Sequence, residues 1–261
     1  MPLEKGSYRS ISPARRWMCD LAALSQTIPI AALEHRLHLR PVFEALKNCP
    51  KPHPSWSALF LKAVALLARH QPYLRRSYFG FPWPRIYEHP INVAAITVER
   101  EWQGEHAIFF DMLPRPETMG VMELHYYLRR LKSEPVESIR CFRRLIKGGA
   151  LPLPFRWLIW RYLHSFSGPR RAAYTGTFAI NGGTRFPIRP VTTTGAIGAT
   201  VYFGLFDAEG NTDVCLAFDH RVMDGGVVVR ILDGLESVLN TDIVIELQAL
   251  VHQPEIAIRN K

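Results

Sequence analysis

Apolar and polar residues alternate along several short stretches of the chain, which is the pattern of half-buried β-strands. In TIPIAALEHRLHL (27–39) the alternation predicts a strand, and PVFEALKN (41–48) predicts a short helix after it. INVAAITVER (91–100) and HAIFFDML (106–113) have the same alternating character and flank EWQGE, a sequence that favours a tight turn. We therefore expect these last two segments to pair with each other.

Other segments repeat their apolar residues every three or four positions, which predicts helices with one buried face. SWSALFLKAVALLARHQPYL (55–74) places Leu59, Ala63 and Leu67 on one stripe, and Ser55 or Ser57 is able to cap its first turn. MGVMELHYYLRRLKSEP (119–135) predicts a second helix of this kind.

The last third of the chain combines both patterns. GTFAINGG (176–183) predicts a strand ending in a glycine turn, and GAIGATVYFGLF (195–206) predicts another strand. DAEGN then predicts a hairpin turn into TDVCLAFD (212–219), and an amphipathic helix is expected from Val227. His220 consequently stands at the exit of a strand and just before a helix, a place where rigid strands often present side chains to a cleft.

Length and composition favour one globular domain over residues 1–261, since the chain has 261 residues, 48% of them apolar, and shows no internal repeat or low-complexity linker. No secretory signal or long uncharged apolar run is present, so a cytoplasmic location is expected. The four cysteines, Cys19, Cys49, Cys141 and Cys215, lack the spacing of a metal site, and no bound metal is expected.

Charge changes this picture, because most of the net charge of +9 falls in one part of the chain. Between Arg115 and Arg171 twelve Lys or Arg residues stand against four Glu residues, a local balance of 12 − 4 = +8. Such a stretch attracts nucleic acid, anionic lipid, or a phosphorylated ligand such as coenzyme A or a carrier protein. No nucleic-acid-binding motif accompanies it, so no nucleic acid is expected as a partner.

The candidate chemistry lies in AFDHRVMDGG (217–226), where His220 precedes Asp224 by four positions and two glycines follow. A histidine at a strand exit is suited to act as a base, although a single histidine in such a place is more often a hydrogen-bonded structural residue. Asp224 is able to cap the next helix, and Gly225 is able to permit the turn before it. The residues alone leave both interpretations open.

FDHRVMDGG, preceded by GTFAINGG and followed by an amphipathic helix, resembles the His-x-x-x-Asp-Gly signature of the catalytic domain from the acyltransferase component of 2-oxoacid dehydrogenase complexes. SPARRWMCDLAALSQTIPIAALEHRL (12–37) is similar to the opening helix of that family, with its paired arginines, and to its first strand. The resemblance implies the fold of the chloramphenicol acetyltransferase-like superfamily: an α/β (α+β) two-layer sandwich of a mixed β-sheet with flanking helices.

The resemblance also implies roles for individual residues. His220 matches the general base, and Asp224 matches an aspartate that pairs with an amino-terminal arginine, here Arg15 or Arg16. Gly225 would let the turn pass close to the histidine. Asn181 stands where the family has a serine that stabilises the oxyanion, a role that an asparagine amide is able to take; alternatively, Asn181 is only a turn residue before Gly182.

The function that the resemblance implies is acyl transfer from a thioester to an unidentified hydroxyl, amine or thiol acceptor. The chain opens at the catalytic domain without a lipoyl domain, so we expect a diffusing donor, acyl-CoA or an acyl carrier protein, and no tightly bound cofactor. The family also implies a homotrimer with active sites between subunits. The alternative is a non-catalytic trimeric scaffold or binding subunit of the same fold.

The segment CFRRLIKGGALPLPFRWLIWRYLHSFSGPRR (141–171) has no close match in the family and is interpreted as a basic aromatic insertion within the domain. It concentrates aromatic and aliphatic residues, with Arg156 and Arg161 among them, and is too short and too charged to span a bilayer. Three interpretations stay open: a helix buried against a neighbouring subunit, the lining of a tunnel for a long acyl chain, and a peripheral membrane contact through residues 151–166.

Overall fold

The computed structural model describes residues 6–182 and 197–252. Its strands, numbered in chain order, are β1 (Ile30–His38), β2 (Arg76–Phe79), β3 (Arg85–Glu88), β4 (Val93–Trp102), β5 (Glu105–Pro114), β6 (Phe178–Gly182), β7 (Ala199–Phe203) and β8 (Asn211–Asp219). Its helices are α1 (Pro13–Ser25), α2 (Arg40–Lys47), α3 (Trp56–His70), α4 (Val121–Ser133), α5 (Arg140–Ala150), α6 (Leu153–Ser165), α7 (Gly168–Thr175), α8 (Gly225–Asn240) and α9 (Asp242–His252).

Six of the strands form one mixed sheet in the order β1-β8-β7-β6-β4-β5. β6 runs parallel to both of its neighbours, β4 and β7, and the other pairs are antiparallel. β2 and β3 form a separate hairpin. The expectation of a mixed sheet with flanking helices is confirmed.

One face of the sheet is covered by helices. Going from β5 towards β1, helices α5, α4, α3 and α8 contact successive strands of the sheet, and α1 and α7 add contacts at its β4–β5 end. Side chains alternate across the sheet as a strand requires: Ile96 and Phe178 belong to the main core under the helices, whereas Ala95 and Ala179 belong to a small cluster on the opposite face. The result is a two-layer domain whose main core lies between the sheet and the helices, with a small second cluster on the other face of the sheet.

The pairing of β4 with β5 confirms the hairpin expected around EWQGE. Gln103 and Gly104 both adopt positive φ angles, 53° and 75°, as the two central residues of a type I′ turn do. The predicted strand and helix over 27–48 are observed as β1 and α2. These short elements follow their local sequence closely because each is bounded by turn residues.

The helix predicted over 55–74 is shorter than expected. α3 ends at His70, and Pro72–Arg75 form a single 3₁₀ turn. Pro72 is the physical reason, since a proline disfavours the helical conformation in the residue before it and supplies no N–H group. The glycine turn predicted at Gly183, and the beginning of the strand predicted over 195–206, lie outside the described residues.

The segment 141–171 folds as most of α5, all of α6 and the start of α7, and it packs around α1. α5 approaches α1 so closely that a Cβ on Gly149 would lie 1.9 Å from the Pro13 carbonyl oxygen. Trp160 of α6 packs against Trp17 of α1, with ring centroids 4.7 Å apart. Across the described part of the chain, no helix is both long and apolar enough to cross a bilayer.

A buried ion pair joins α6 to α1. The Arg156 guanidinium donates to both carboxylate oxygens of Asp20, at 2.7 and 3.2 Å, and also to the carbonyl oxygen of Leu151 at 2.8 Å. The two charged side chains are only 9% and 10% exposed. A buried charge whose partner is removed loses its compensation, so this pair is expected to hold α6 in place.

We predict that Arg156→Ala lowers the free energy of unfolding by about 3–5 kcal/mol, because it leaves the Asp20 carboxylate buried and unpaired. Arg15→Ala is the matched control, since Arg15 forms an exposed ion pair with Glu105 at 3.0 Å. Exposed pairs contribute at most about 1 kcal/mol, so this variant should unfold almost like the wild type. Chemical denaturation of the two variants checks the prediction, and equal losses would contradict it.

Candidate functional site

His220 follows the last residue of β8 and leads into the turn before α8. Its backbone N–H donates to the Pro29 carbonyl oxygen at 2.9 Å, which fixes the strand exit to the beginning of β1. Its imidazole lies 5.7 Å from the Phe218 ring and is 53% exposed. The backbone is therefore held while the ring faces solvent.

Asp224 is placed next to this ring. Its Oδ1 lies 3.3 Å from His220 Nδ1, and its side chain is 84% exposed. Asp224 occupies the N-cap position of α8, but its side chain accepts no capping hydrogen bond. The carboxylate therefore lies beside the imidazole and does not cap the helix.

Beneath the turn lies a buried charge cluster that the sequence did not predict. The Asp219 carboxylate is buried and accepts hydrogen bonds from the Arg221 Nε and Nη2 atoms at 2.9 and 2.8 Å, and from the Arg221 backbone N–H at 3.0 Å. The Arg221 guanidinium also lies over the Tyr78 ring, 4.4 Å from its centroid. Asp219 and Arg221, the residues on either side of His220, therefore stabilise each other's position.

Arg171 of α7 completes this cluster. Its guanidinium is buried and donates to the Tyr78 carbonyl oxygen at 2.9 Å. Burial lowers the pKa of Arg171 to about 10, an effect that the Asp219 carboxylate opposes and the Arg221 charge reinforces. Two histidines nearby are kept neutral: burial, with Arg171 adding to it, lowers the pKa of His89 to about 4 and holds the pKa of His164 well below its usual value.

The expected pairing of Asp224 with an amino-terminal arginine is not formed within one subunit. Arg15 instead donates to Glu105 Oε1 at 3.0 Å and to the His106 carbonyl oxygen at 3.0 Å, at the far edge of the sheet from β8. Within the described residues, neither Arg15 nor Arg16 forms an ion pair with Asp224. Within one subunit the pair is not formed because α1 packs beside β5 and α5, which places both arginines away from the turn.

The role expected for Gly225 is also not observed within the subunit. A Cβ placed on Gly225 would meet no heavy atom within 4 Å. Gly225 is the first residue of α8 and does not adopt a positive φ angle. No close approach to His220 therefore requires a glycine there in an isolated subunit, and the space beside it is open.

Asn181 lies in β6 on the same face of the sheet as Ala179, and it lines a cavity of about 600 Å³ whose walls also include residues of α3 and α4. Its Oδ1 accepts a hydrogen bond from Thr97 Oγ1 at 2.9 Å. Burial raises the pKa of the Tyr202 phenol, and a hydrogen bond from the Asn181 side chain partly offsets that effect. Because Thr97 donates to the amide oxygen and one amide N–H is directed at Tyr202, the second amide N–H is left to donate.

Strand register separates Asn181 from His220. Asn181 pairs with Tyr202 of β7, and Tyr202 pairs with Cys215 of β8. His220 comes five residues after Cys215, which is about 17 Å along the strand direction. A single subunit therefore does not bring the two predicted site residues together.

A second cavity, of about 450 Å³, adjoins the histidine turn on the side of α1 and α6. Arg171 and Arg221 form its charged wall, and Leu153, Trp157 and Trp160 of the 141–171 segment form much of its apolar wall. Arg221, which follows His220 in the turn, lines this cavity, so the cavity lies beside the histidine turn. The interpretation of this segment as the lining of an acyl-chain site remains a prediction.

The buried charge cluster was not predicted from the sequence, because the His-x-x-x-Asp-Gly signature does not include Asp219, Arg171 or Arg221. A signal for part of it exists in the sequence: Asp219 and Arg221 are two positions apart at a strand end, so their side chains leave on the same side of the chain. Arg171 had no such signal. It reaches the turn from α7 and is distant in sequence.

The fold is similar to that of solved acyltransferases. A probable dihydrolipoamide acetyltransferase from Listeria monocytogenes has a TM-score of 0.62 and 14% identity, and the match covers 90% of this chain and 94% of that one. A truncated catalytic core of the 2-oxoacid dehydrogenase multienzyme complex from Thermoplasma acidophilum has a TM-score of 0.64 and 14% identity, with 90% and 99% covered. A chloramphenicol acetyltransferase has a TM-score of 0.50 and 13% identity, with 84% and 94% covered.

No protein-family model matches the chain, and no curated protein matches it. The structural similarity confirms the resemblance at the level of the fold, the chloramphenicol acetyltransferase-like fold of the 2-oxoacid dehydrogenase acyltransferases.

We predict that the protein loses stability on acidification because His89 is buried and neutral. The pKa of His89 is about 4 in the folded protein, against an ordinary value of 6.5. Between these values the unfolded chain binds a proton that the folded protein does not, so the stability present above pH 6.5 is lost as the pH falls towards 4. At pH 5 the loss amounts to about 2 kcal/mol.

His89→Gln removes the titrating group, so its free energy of unfolding should fall less between pH 7 and pH 5 than that of the wild type. Gln is also able to hydrogen bond to Ser77, whose Oγ lies 3.0 Å from His89 Nε2. His70→Gln, at an exposed position of α3, is the control. Denaturation curves at the two pH values provide the measurement, and an unchanged pH dependence in His89→Gln would refute the assignment.

Proposed function

We propose that the protein is an acyltransferase that moves an acyl group from a diffusing thioester, acyl-CoA or an acyl carrier protein, to a hydroxyl, amine or thiol acceptor. The observation that carries the proposal is the exposed His220 ring with the Asp224 carboxylate 3.3 Å from Nδ1, at a strand exit of an acyltransferase fold. A buried structural histidine would be covered and hydrogen-bonded. Here the Asp224 carboxylate lies beside one ring nitrogen, and the ring is half exposed.

In the proposed reaction, His220 Nε2 takes the proton from the acceptor as the acceptor attacks the thioester carbonyl carbon. The carbonyl oxygen becomes an oxyanion in the tetrahedral intermediate. When the intermediate collapses, the carbon–sulfur bond breaks and the departing thiolate receives the proton from His220. Asp224 stabilises the imidazolium that exists between these two transfers.

The oxyanion requires a hydrogen-bond donor, and the Asn181 amide is the donor that we propose. Thr97 fixes its orientation through the bond to Oδ1, so that its N–H groups are directed away from Thr97. The cavity around Asn181, about 600 Å³, is within the size range of small-molecule sites. Lys132 lies on the wall of the same cavity and offers a positive charge to a phosphorylated donor.

Since His220 and Asn181 lie about 17 Å apart along the strands of one subunit, we propose that each site combines His220 of one subunit with Asn181 of its neighbour in a homotrimer. The exposed turn supports this arrangement. His220 and Asp224 project into solvent, and the space beside Gly225 is free to receive another chain.

Thiol release from a panel of acyl-CoAs tests the proposed activity directly, with His220→Ala as the first variant. It should lower turnover by about 10²–10⁴-fold, the usual contribution of a general base. Melting temperature and mass should stay unchanged, because the side chain is exposed. Activity within threefold of the wild type would be inconsistent with a base and would favour the non-catalytic scaffold.

Mixing inactive subunits tests whether the site is shared. Asn181→Ala alone should lower kcat by about 10²–10³-fold, as the loss of one oxyanion donor does. If His220→Ala and Asn181→Ala subunits are unfolded together and refolded in equal amounts, about one site in four should contain both intact residues in a random trimer.

The mixture should therefore recover about a quarter of wild-type activity, whereas each variant refolded alone should recover none. Light scattering before and after refolding should give the mass of a trimer. A monomeric mass, or a mixture no more active than its parents, would contradict the shared site. Activity in the wild type together with an inactive mixture would retain the acyltransferase and reject only the arrangement.

A further inference from the structure

Helix α5 presents one strongly basic face. Arg140, Arg143, Arg144 and Lys147 recur at helical spacing and line one wall of a cavity of about 870 Å³, the largest of the described cavities. All four are exposed. No carboxylate lines the cavity, and none of the four forms an ion pair with a described residue. Like charges at this spacing repel one another, so the face is complementary to an anionic partner.

Helix α6 exposes an apolar face instead of burying it. Five of its residues and the one following it are 43–63% exposed although they are large and apolar. They are Leu153, Phe155, Trp157, Leu158, Tyr162 and, just after the helix, Phe166. A soluble monomer seldom exposes so many large apolar side chains together, so this face is expected to contact an apolar medium.

These two faces are parts of one surface, which we call the basic aromatic surface. Tyr174 joins them: the Arg144 guanidinium lies 4.6 Å from the centroid of its ring, and Tyr174 lines a shallow groove with Leu158 and Tyr162. Arg170 continues the pattern, because it donates to Tyr162 Oη at 3.3 Å. Cations and apolar rings therefore alternate across adjoining helices.

The β2–β3 hairpin extends the apolar part of this surface. Phe81 contacts Phe166, with ring centroids 5.1 Å apart, and Trp83 at the tip of the hairpin is exposed. Two separate elements of the fold thus present aromatic rings on the same side. An apolar cluster made by one helix alone could be a local accident of packing, whereas two adjoining elements form an extended surface.

We propose that the basic aromatic surface binds an anionic lipid bilayer. α6 would lie in the plane of the interface, with its exposed rings among the headgroups, and the α5 cations would contact lipid phosphates or carboxylates. Trp and Tyr side chains favour this depth because one end of each ring is apolar and the other polar. The surface offers both of the interactions that peripheral binding combines, apolar burial and attraction to negative charge.

Charge distinguishes a bilayer from a second copy of the chain. The α5 face carries four exposed cations, and no carboxylate lines the cavity beside it. A copy that placed its own basic aromatic surface here would oppose cations to cations. An anionic bilayer supplies negative charge and apolar volume together, and supplies them over an area as large as the surface itself.

Vesicle sedimentation tests the proposal and does not depend on catalysis. The wild-type protein should bind vesicles of phosphatidylcholine with about 30 mol % phosphatidylserine, and bind phosphatidylcholine alone much more weakly. Raising the salt from about 0.1 M to about 0.5 M should weaken the binding, because the attraction is screened. Tryptophan emission should shift to shorter wavelength on binding, since Trp157 and Trp83 would leave water.

Two double variants test the two halves of the surface. Arg143→Gln with Lys147→Gln should weaken vesicle binding by about 25-fold, which is about fivefold for each cation removed. Its control is Arg69→Gln with Arg129→Gln, the same charge change at exposed positions of α3 and α4.

Phe155→Ser with Leu158→Ser should abolish the emission shift. Its control, Leu205→Ser with Ile245→Ser, removes exposed apolar residues from outside the surface.

The proposal is overturned if the wild type does not sediment with anionic vesicles, if the surface variants bind as their controls do, or if Phe155→Ser with Leu158→Ser changes the mass of the assembly. The last result would assign the surface to contact between subunits. Thiol release from acyl-CoA, measured on the same preparations without vesicles, keeps the two proposals apart. A loss of membrane binding with intact turnover would leave the acyltransferase unaffected.

Discussion

The register of strands β6, β7 and β8 sets the distance between the two predicted site residues, Asn181 and His220. Asn181 of β6 is aligned through Tyr202 of β7 with Cys215 of β8, and His220 leaves β8 about 17 Å further on. A register shift would require moving every buried side chain of a strand to the other face, so the separation is a fixed property of the fold. If the two residues act on one thioester, they must come from different chains. An assembly of at least two chains, such as the proposed trimer, would then be required by the chemistry.

The buried Asp219 carboxylate explains why an exposed histidine is nonetheless held in place. Its partners Arg221 and Arg171 come from the turn itself and from α7, so the strand exit, the Tyr78 strand and the segment 141–171 share one charge cluster. Burying these charges is costly unless all of them are compensated, which makes the arrangement cooperative. Burial lowers the pKa of His89 and of His164, and the Arg171 charge lowers both further, so neither histidine adds a positive charge beside this cluster.

Elements bounded by local signals could be predicted from the sequence. The β4–β5 hairpin followed from EWQGE, β1 and α2 from their apolar spacing, and the mixed sheet from the resemblance carried by FDHRVMDGG. The pairing of Asp224 with Arg15 or Arg16 could not be predicted correctly, because it depends on where α1 packs relative to β8, and α1 packs at the other edge of the sheet. Arg171 was missed for the same reason. Local spacing carries no information on contacts between elements that are distant in sequence.

The histidine turn and the basic aromatic surface require partners of different chemistry. The turn exposes a histidine, a carboxylate and an unfilled space beside Gly225, all of them small or polar, which suits a protein neighbour that completes hydrogen bonds. The basic aromatic surface exposes unpaired cations beside large rings, and a protein partner with the matching acidic and apolar pattern would have to be specially shaped to it. A bilayer needs no such shape, because lipids rearrange around whatever is presented. A protein neighbour at the histidine turn therefore leaves the basic aromatic surface exposed. A membrane-bound trimer would contact neighbouring subunits through the turn and lipid through the basic aromatic surface.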